Sequence, residues 1–382
     1  MPTTLRIILD QVIAPVPGPI GVYTDALTSS LLKSVPHGCE VEGIVSASSP
    51  ADYERIEARF PGLSALYKTT LARRELAAAW QLGLTTSPGG GMIHSPGLFA
   101  PLRRHDRTQS GDQVVVTVHD LLPWTHPETL TNASVAWHKG MLRRARKHAD
   151  AVVVPTHALA ERLADIADFG DRVRVIGTAP RPGLAVPADE AETAARAARL
   201  GLPPAYLVVT GTLEPRKGIV DLLEALGRPG VPDIDLVVIG PATWGELHLA
   251  TVADESGVDP RRVHAVEVDD PADLAVVLSR ATAFVAPSHE EGSGTSLIEA
   301  FSFGLPVIHS DTAAYVEVAA DSGLVVPIGI GGGYTERLAA AVTAVVEQSS
   351  VAERLSVTAS DRAHAFSWRD SAERVWQLHA DL

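Results

Sequence analysis

The 382-residue sequence predicts an α/β protein built of two doubly wound, parallel-sheet domains facing a central cleft. Three observations predict it. The length exceeds what one ordinary hydrophobic core serves, so the chain divides. Short, continuously apolar runs recur between helix-length segments, as in strands buried on both faces. A proline-marked stretch, residues 177–204, separates two such series.

The elements follow in order. In the first half the strand runs are LRIILD (5–10), CEVEGIV (39–45), GGMIH (90–94), QVVVTVHD (113–120), DAVVVP (150–155) and RVRVIG (172–177). In the second they are AYLVVTGT (205–212), IDLVVIG (234–240), RVHAVEV (262–268), TAFVAP (282–287), LPVIHS (305–310) and GLVVP (323–327). Strand, helix, strand in rotation gives parallel sheets with right-handed crossovers. The first domain is placed at 1–185 and the second from 186 onward. In open sheets of this kind ligands bind beyond the C-terminal ends of the strands.

Composition narrows the class. With 46% hydrophobic and 20% charged residues the chain reads as a soluble globular protein. No apolar run approaches the roughly 20 residues of a membrane span. The start, MPTTLRIILDQVIAPVPG, is interrupted by Arg6, Asp10 and prolines, unlike a secretory leader. Cys39 is the single cysteine, which excludes an intrachain disulfide and a cysteine metal cluster. The expected compartment is the cytoplasm. A net charge of −14 argues against a nucleic-acid partner. Residues 1–185 carry 19 Lys and Arg against 17 Asp and Glu, and the remainder 13 against 29. Either charge drifts between domains, or only the first half approaches something anionic, such as a membrane surface.

Four stretches carry chemistry. SHEEGSGTSLIEAFSFGLPVI (288–308) follows a strand with a small, polar loop and then a helix with apolar Leu297, Ile298, Ala300 and Phe301 and a stop at Gly304. Ser293 or Thr295 is expected near its cap. The backbone amides of Gly292, Ser293, Gly294 and Thr295, at the start of a helix, suit a phosphate or diphosphate. Glu291 and Glu299 flank that site, and carboxylates accept hydroxyl hydrogens. A nucleotide sugar, with ribose on one side of a diphosphate and a hexose on the other, fits the pattern. The alternative is a helix N-terminus that merely favours acidic residues.

In VVTGTLEPRKGIVDLLEAL (208–226) a strand and turn lead to a helix near Lys217 or Gly218. Arg216 and Lys217 stand where the helix dipole disfavours cations, so something anionic should balance them. A solvated basic pair beside Glu214 is the alternative. VVVTVHDLLPWTHPETL (114–130) delivers His119 and Asp120 to a strand's C-terminal end, where a ligand-facing histidine competes with a satisfied core histidine. PVPGPIGVYTDALTSSLL (15–32) reads as a Gly/Pro loop feeding a helix, with Gly21 allowing close backbone approach. It lacks the GxGxxG spacing of a dinucleotide site.

Taken together these motifs resemble the retaining family-4 glycosyltransferases of GT-B fold, whose two domains are Rossmann-like. GPIGVYTDAL resembles the family's glycine loop and VVTVHDLLPWTHPE its histidine motif. KGMLRRARKHADAVVVPTHALAERL resembles the segment closing the first domain. GTLEPRKG resembles the phosphate-binding turn in its mannosyltransferase-like form, and EGSGTSLIEA its E-x7-E motif. FSWRDSAERVW resembles the closing helix, which places residues 366–382 back on the N-terminal domain and ends the second domain at 365. Two departures stand out. Ser293, Thr295 and Ser296 replace a loop that often holds Phe, and Thr212 stands where Arg often follows Gly211.

The resemblance implies that a nucleotide sugar binds mainly to the C-terminal domain, with no cofactor and no metal. GDP-mannose and a UDP-sugar both stay open as donor. Arg216 and Lys217 would neutralise the departing diphosphate, Glu299 would hold the ribose and Glu291 the sugar hydroxyls. His119 would contact the sugar from the first domain. The loop at Val268–Asp270 would meet the base. The acceptor, a glycan, lipid-linked or small molecule, would meet the N-terminal domain through loops such as RRHDR (103–107) and ARREL (72–76), with peripheral contact at the inner membrane face left open. A non-catalytic GT-B binding subunit and a nucleotide-sugar epimerase are the alternatives.

Overall fold

The computed structural model describes residues 2–15, 18–84, 90–106, 110–268, 270–329 and 333–382. The chain falls into two compact units, Met1–Thr178 with Ser367–Leu382, and Ala179–Phe366.

The first unit holds a seven-stranded sheet: β1 (Thr3–Ile8), β2 (Cys39–Ala47), β3 (Ala65–Ala72), β4 (Met92–Ser95), β5 (Gln113–Thr117), β6 (Ala151–Val154) and β7 (Val173–Val175). Their order is β3-β2-β1-β4-β5-β6-β7, and every pairing is parallel. The register places Leu5 opposite Val41 on one side and Met92 on the other. Continuous apolar runs arise because neighbouring residues of one strand serve opposite faces. Val114 and Val116 join Trp80, Met141 and Leu142 in one core, while Val115 joins Leu5, Ile7, Leu27 and Trp376 in the other.

β3 carries no such run. As an edge strand it buries only Thr69 fully, so ALYKTTLA lacks the apolar signature by which its neighbours are recognised. The last helix, Trp368–Asp381, packs on this unit. Ala372 and Val375 are buried against the helix Gly18–Lys33, and Trp376 Nε1 donates to Leu31 O at 3.4 Å.

The second unit holds β8 (Tyr206–Thr210), β9 (Asp235–Ile239), a two-stranded antiparallel ribbon of β10 (Thr243–Trp244) and β11 (Leu247–His248), then β12 (Val263–Val266), β13 (Ala283–Ala286), β14 (Val307–Ser310) and β15 (Leu324–Val326). The six-stranded parallel sheet runs β12-β9-β8-β13-β14-β15. Leu207 and Val209 face one core with Ile219, Leu222 and Leu338; Tyr206 and Val208 face the other with Leu297, Ile298 and Phe301. The chain builds outward from β8 in one direction and from β13 in the other, so the order reverses between these neighbours. Open α/β sheets bind ligands at such a point. Among the described residues no helix is long and apolar enough to cross a membrane.

His94 on β4 and His379 on the last helix lie side by side, Nδ1 to Nε2 at 3.3 Å, both buried. His379 Nδ1 donates to Gln113 Oε1 at 2.8 Å, and Gln113 Nε2 donates to the His379 carbonyl at 3.2 Å. The contact between the two ring nitrogens requires at least one neutral imidazole as acceptor. Burial holds His94 down at about 3, and burial together with its neighbour holds His379 well below the ordinary value. Both rings bind protons more readily when unfolded, so their contribution is complete above pH 6.5 and lost as pH falls toward the native values. Each histidine then costs about 1.4 kcal/mol per pH unit below 6.5. Urea denaturation followed by tryptophan fluorescence should show the first unit weakening between pH 6.5 and 4.5, and His379→Gln should flatten that slope.

Candidate functional site

At the β8/β13 reversal two connections meet. After β8 the chain passes Gly211 and Thr212, makes a 3-10 turn over Pro215–Lys217, and enters the helix Ile219–Leu226 at Gly218. Gly218 has φ +65°, and a Cβ there would lie 2.2 Å from Pro287 O, so only glycine lets this turn rest on the loop after β13. His289 N donates to Arg216 O at 2.7 Å across the same contact. On the other side a Cβ on Gly240 would lie 2.1 Å from Gly211 O, which fixes Gly211 against the end of β9.

The charged side chains bridge the two connections. Lys217 Nζ donates to Glu291 Oε2 at 2.8 Å, and Tyr315 OH donates to the same oxygen at 3.3 Å. Gly292 N reaches Glu291 Oε1 at 3.4 Å. Burial opposes the charge on Glu291, but Lys217 and then Arg216 outweigh it and hold its carboxyl below the usual range. Burial, reinforced by the Glu291 charge, pushes the Tyr315 phenol up, so it stays a donor. Arg216 Nη2 pairs with Glu214 Oε2 at 2.9 Å, and Arg216 Nε is buried with no hydrogen-bond partner among the described residues. The balancing charge for Arg216 and Lys217 is therefore found inside the chain, in Glu214 and Glu291, and Arg216 is not a solvated cation.

The helix after β13 spans Thr295–Phe301, and its N-cap is Gly294 at φ +62° with no side-chain cap. This corrects the expectation of Ser293 or Thr295 as the cap; those hydroxyls lie 3.1 Å from each other. Glu299, 5% exposed, is held by Arg181: Nε and Nη2 donate to Oε1 and Oε2 at 2.6 and 3.1 Å, and the Arg181 amide reaches Oε1 at 3.4 Å. Sequence reasoning missed Arg181, which sits among the prolines taken as linker. The available signal was Glu299 itself, because a buried carboxylate demands a partner.

Thr212 Oγ1 accepts from Glu214 N at 3.4 Å, a weak turn contact. Val268 is half-buried past β12, packed against the core that includes Leu297. Asp269 lies outside the described residues, as does Arg107 of the RRHDR loop. Asp270 caps the helix Pro271–Arg280 through Ala272 N at 2.9 Å and pairs with Arg196 at 2.8 Å.

Gly21 and His119 belong to the first unit. Gly21 is buried in the first turn of the helix Gly18–Lys33 rather than in a loop, because the helix begins earlier than the prolines suggest. His119 follows β5 and is half-buried; its Nε2 donates to Pro96 O at 2.7 Å, leaving Nδ1 as the acceptor of a neutral ring. Burial depresses its pKa against the opposing pull of the Pro96 carbonyl and Asp120. Tyr23, which sequence reasoning also missed, packs edge-on against it at 4.6 Å. Among the described residues no group of three or more His, Cys, Asp or Glu converges as metal ligands.

Residues 191–362 match the family model of Glycosyl transferases group 1, and residues 20–179 match that of Glycosyltransferase Family 4. The fold agrees with sucrose-phosphate synthase from Thermosynechococcus elongatus, with a TM-score of 0.71 at 21% identity over 99% of this chain and 98% of that one. Together the two matches and the fold support a GT-B glycosyltransferase of family-4 type. The chain is 26% identical over 239 residues to O-antigen chain mannosyltransferase B of Escherichia coli, covering 61% of this chain and 60% of the relative. It is 30% identical over 250 residues to D-inositol 3-phosphate glycosyltransferase of a Nocardioides species, covering 60% and 53%. The chain spans about half the length of the curated relatives it matches.

Two outcomes follow for this GT-B site. Gly218→Ala should lower stability in urea by about 2–3 kcal/mol, because a carbonyl occupies the space a methyl needs. His289 Nε2 pairs with Asp221 Oδ2 at 2.8 Å, and that hydrogen bond raises the histidine pKa against burial. The pair's contribution is complete below pH 6.5 and lost as pH rises through the raised value. In an NMR titration Asp221→Asn should bring the His289 midpoint down.

Proposed function

We propose that this chain moves a hexose from a nucleoside diphosphate sugar to an acceptor hydroxyl, with retention of anomeric configuration and without a metal ion. The observation that carries the proposal is the Lys217–Glu291 pair, 2.8 Å long, set beside Arg216 at the strand-order reversal. It juxtaposes cations for a diphosphate with a carboxylate for sugar hydroxyls.

In this proposal Arg216 and Lys217 stabilise the charge that gathers on the diphosphate as the C–O bond to phosphate breaks. An ammonium has three donors and Glu291 occupies one, so Lys217 keeps donors for phosphate oxygens. The amides of Gly292, Ser293, Gly294 and Thr295 add to them, and Gly211 and Thr212 line the turn. Glu291 accepts from the hexose, Glu299 from the ribose, and Val268 lies toward the base. The acceptor oxygen forms its bond on the face the phosphate leaves, and its proton passes to the departing phosphate. His119 contacts the sugar and Gly21 the donor from the first unit, which we assign to acceptor binding. No resident cofactor is required.

The O-antigen chain mannosyltransferase among the relatives supports GDP-mannose as donor, with a UDP-sugar as the alternative. We propose a cytoplasmic setting, with the first unit at the inner membrane face if the acceptor is lipid-linked.

Thermal unfolding with GDP, UDP, ADP and dTDP in turn tests the donor site. The matching nucleotide at about 100 times its Kd should add about 2.7 kcal/mol to the wild type and little to Glu299→Ala. Transfer should persist in excess EDTA, and Lys217→Ala should lose about 10²–10³-fold in kcat. A wild type that no nucleotide stabilises and that transfers no sugar would overturn the proposal.

A further inference from the structure

Arg181 occupies an unusual place in the donor site. It lies just past the division between the two units, in a segment otherwise marked by Pro180 and Pro182, yet its guanidinium reaches the helix Thr295–Phe301. There it meets Glu299, whose side chain is 7% exposed, while its own is 26% exposed. Nε to Oε1 at 2.6 Å and Nη2 to Oε2 at 3.1 Å form the paired fork by which arginine fixes the plane of a carboxylate. The Arg181 backbone amide adds a longer contact to Oε1 at 3.4 Å.

The two carboxylate oxygens are thereby made unequal. Each has two lone pairs. Among the described residues Oε1 receives two donors, both from Arg181, and Oε2 receives one. One acceptor position remains, at Oε2.

We propose that Arg181 is a positioning and specificity-determining residue, which orients Glu299 so that the carboxylate reads a single ribose hydroxyl through Oε2. The inference rests on the donor-site assignment of Glu299 made above. It narrows that assignment, because an unencumbered carboxylate takes two adjacent hydroxyls and this one takes one. Arg181 acts through Glu299, and its replacement leaves the diphosphate cations untouched.

Calorimetric titration separates these statements. The probes are whichever of GDP, UDP and ADP binds the wild type, together with its 2′-deoxy and 3′-deoxy forms. Loss of one hydroxyl should weaken binding about tenfold, the effect of removing a hydrogen bond to a charged group. Loss of the other should change Kd less than about twofold. Arg181→Gln, which cannot form the fork, should erase this asymmetry and raise the Kd of the parent nucleotide. Arg181→Lys should restore affinity in part but not the asymmetry, since a point charge does not fix the carboxylate plane. Arg181→Lys keeps a cation beside the buried Glu299, so loss of the asymmetry in that variant at near wild-type thermal unfolding without nucleotide identifies the effect as positioning.

Equal losses for the two deoxy probes on the wild type would overturn the inference, as would an unchanged asymmetry in both Arg181 variants. If the wild type binds the parent nucleotide and Glu299→Gln weakens it while the Arg181 variants behave as wild type, only this inference falls. If no nucleoside diphosphate binds, or Glu299→Gln leaves binding unaltered, the donor-site assignment falls and takes this inference with it.

Discussion

The contact of the β8 turn with the β13 loop is the constraint on which the second unit's chemistry depends. Gly218 lets two backbones meet where any side chain would collide with Pro287 O, and the Lys217–Glu291 pair spans the same join. The helices that follow these two neighbouring strands leave to opposite faces. Ile219 and Leu222 enter one core, Leu297 and Ile298 the other. Chain that departs in opposite directions leaves room at the sheet edge between them. Without the Gly218 contact the turn has no rest, and Arg216, whose carbonyl is anchored by His289 N, loses its place.

The charges at this edge are arranged as pairs. Arg216 sits with Glu214, Lys217 with Glu291, and Arg181 with Glu299. This resolves an apparent conflict with composition. The half of the chain from residue 186 is strongly acidic, yet Arg216 and Lys217 are gathered at this edge. Pairing offsets part of the desolvation penalty of each partly buried cation, because each partner's charge is near. It also fixes the direction of the ammonium and guanidinium groups, so that their remaining donors are held in place.

Much of the fold was legible because burial on both faces writes itself as unbroken apolar runs. Val114, Val115 and Val116 are three consecutive core residues that serve two cores. β3 and the β10–β11 ribbon were illegible for the converse reason: β3 is an edge strand and the ribbon a separate two-stranded sheet, both largely exposed, and their residues carry no periodic demand. Within the site, residue types at strand ends pointed to Arg216, Lys217, Glu291 and Glu299. Their partners were harder to foresee. Glu214 was visible, but only as the neighbour of a basic pair whose alternative was solvation, although its own side chain is buried. Arg181 is remote from Glu299 in sequence, and a hydrogen bond across that separation leaves no trace in local pattern. The Gly294 cap escaped notice because hydroxyls stand on both sides of it, and cap preference alone favours either.

The last helix has a consequence for how the protein is made. Trp376, Val375 and Ala372 complete the same core as Leu5, Ile7 and Leu27, at the opposite end of the sequence. During synthesis the first unit emerges early but lacks that wall until the residues after Ser367 have left the ribosome. The second unit, continuous from Ala179 to Phe366, has no such dependence. Vectorial folding is thus inverted: the later domain can close first, while the earlier one, already packed by Leu27, Leu31, Ile56 and Phe60, waits with the patch beneath Val375 and Trp376 uncovered, a stage at which chaperone binding has its natural target.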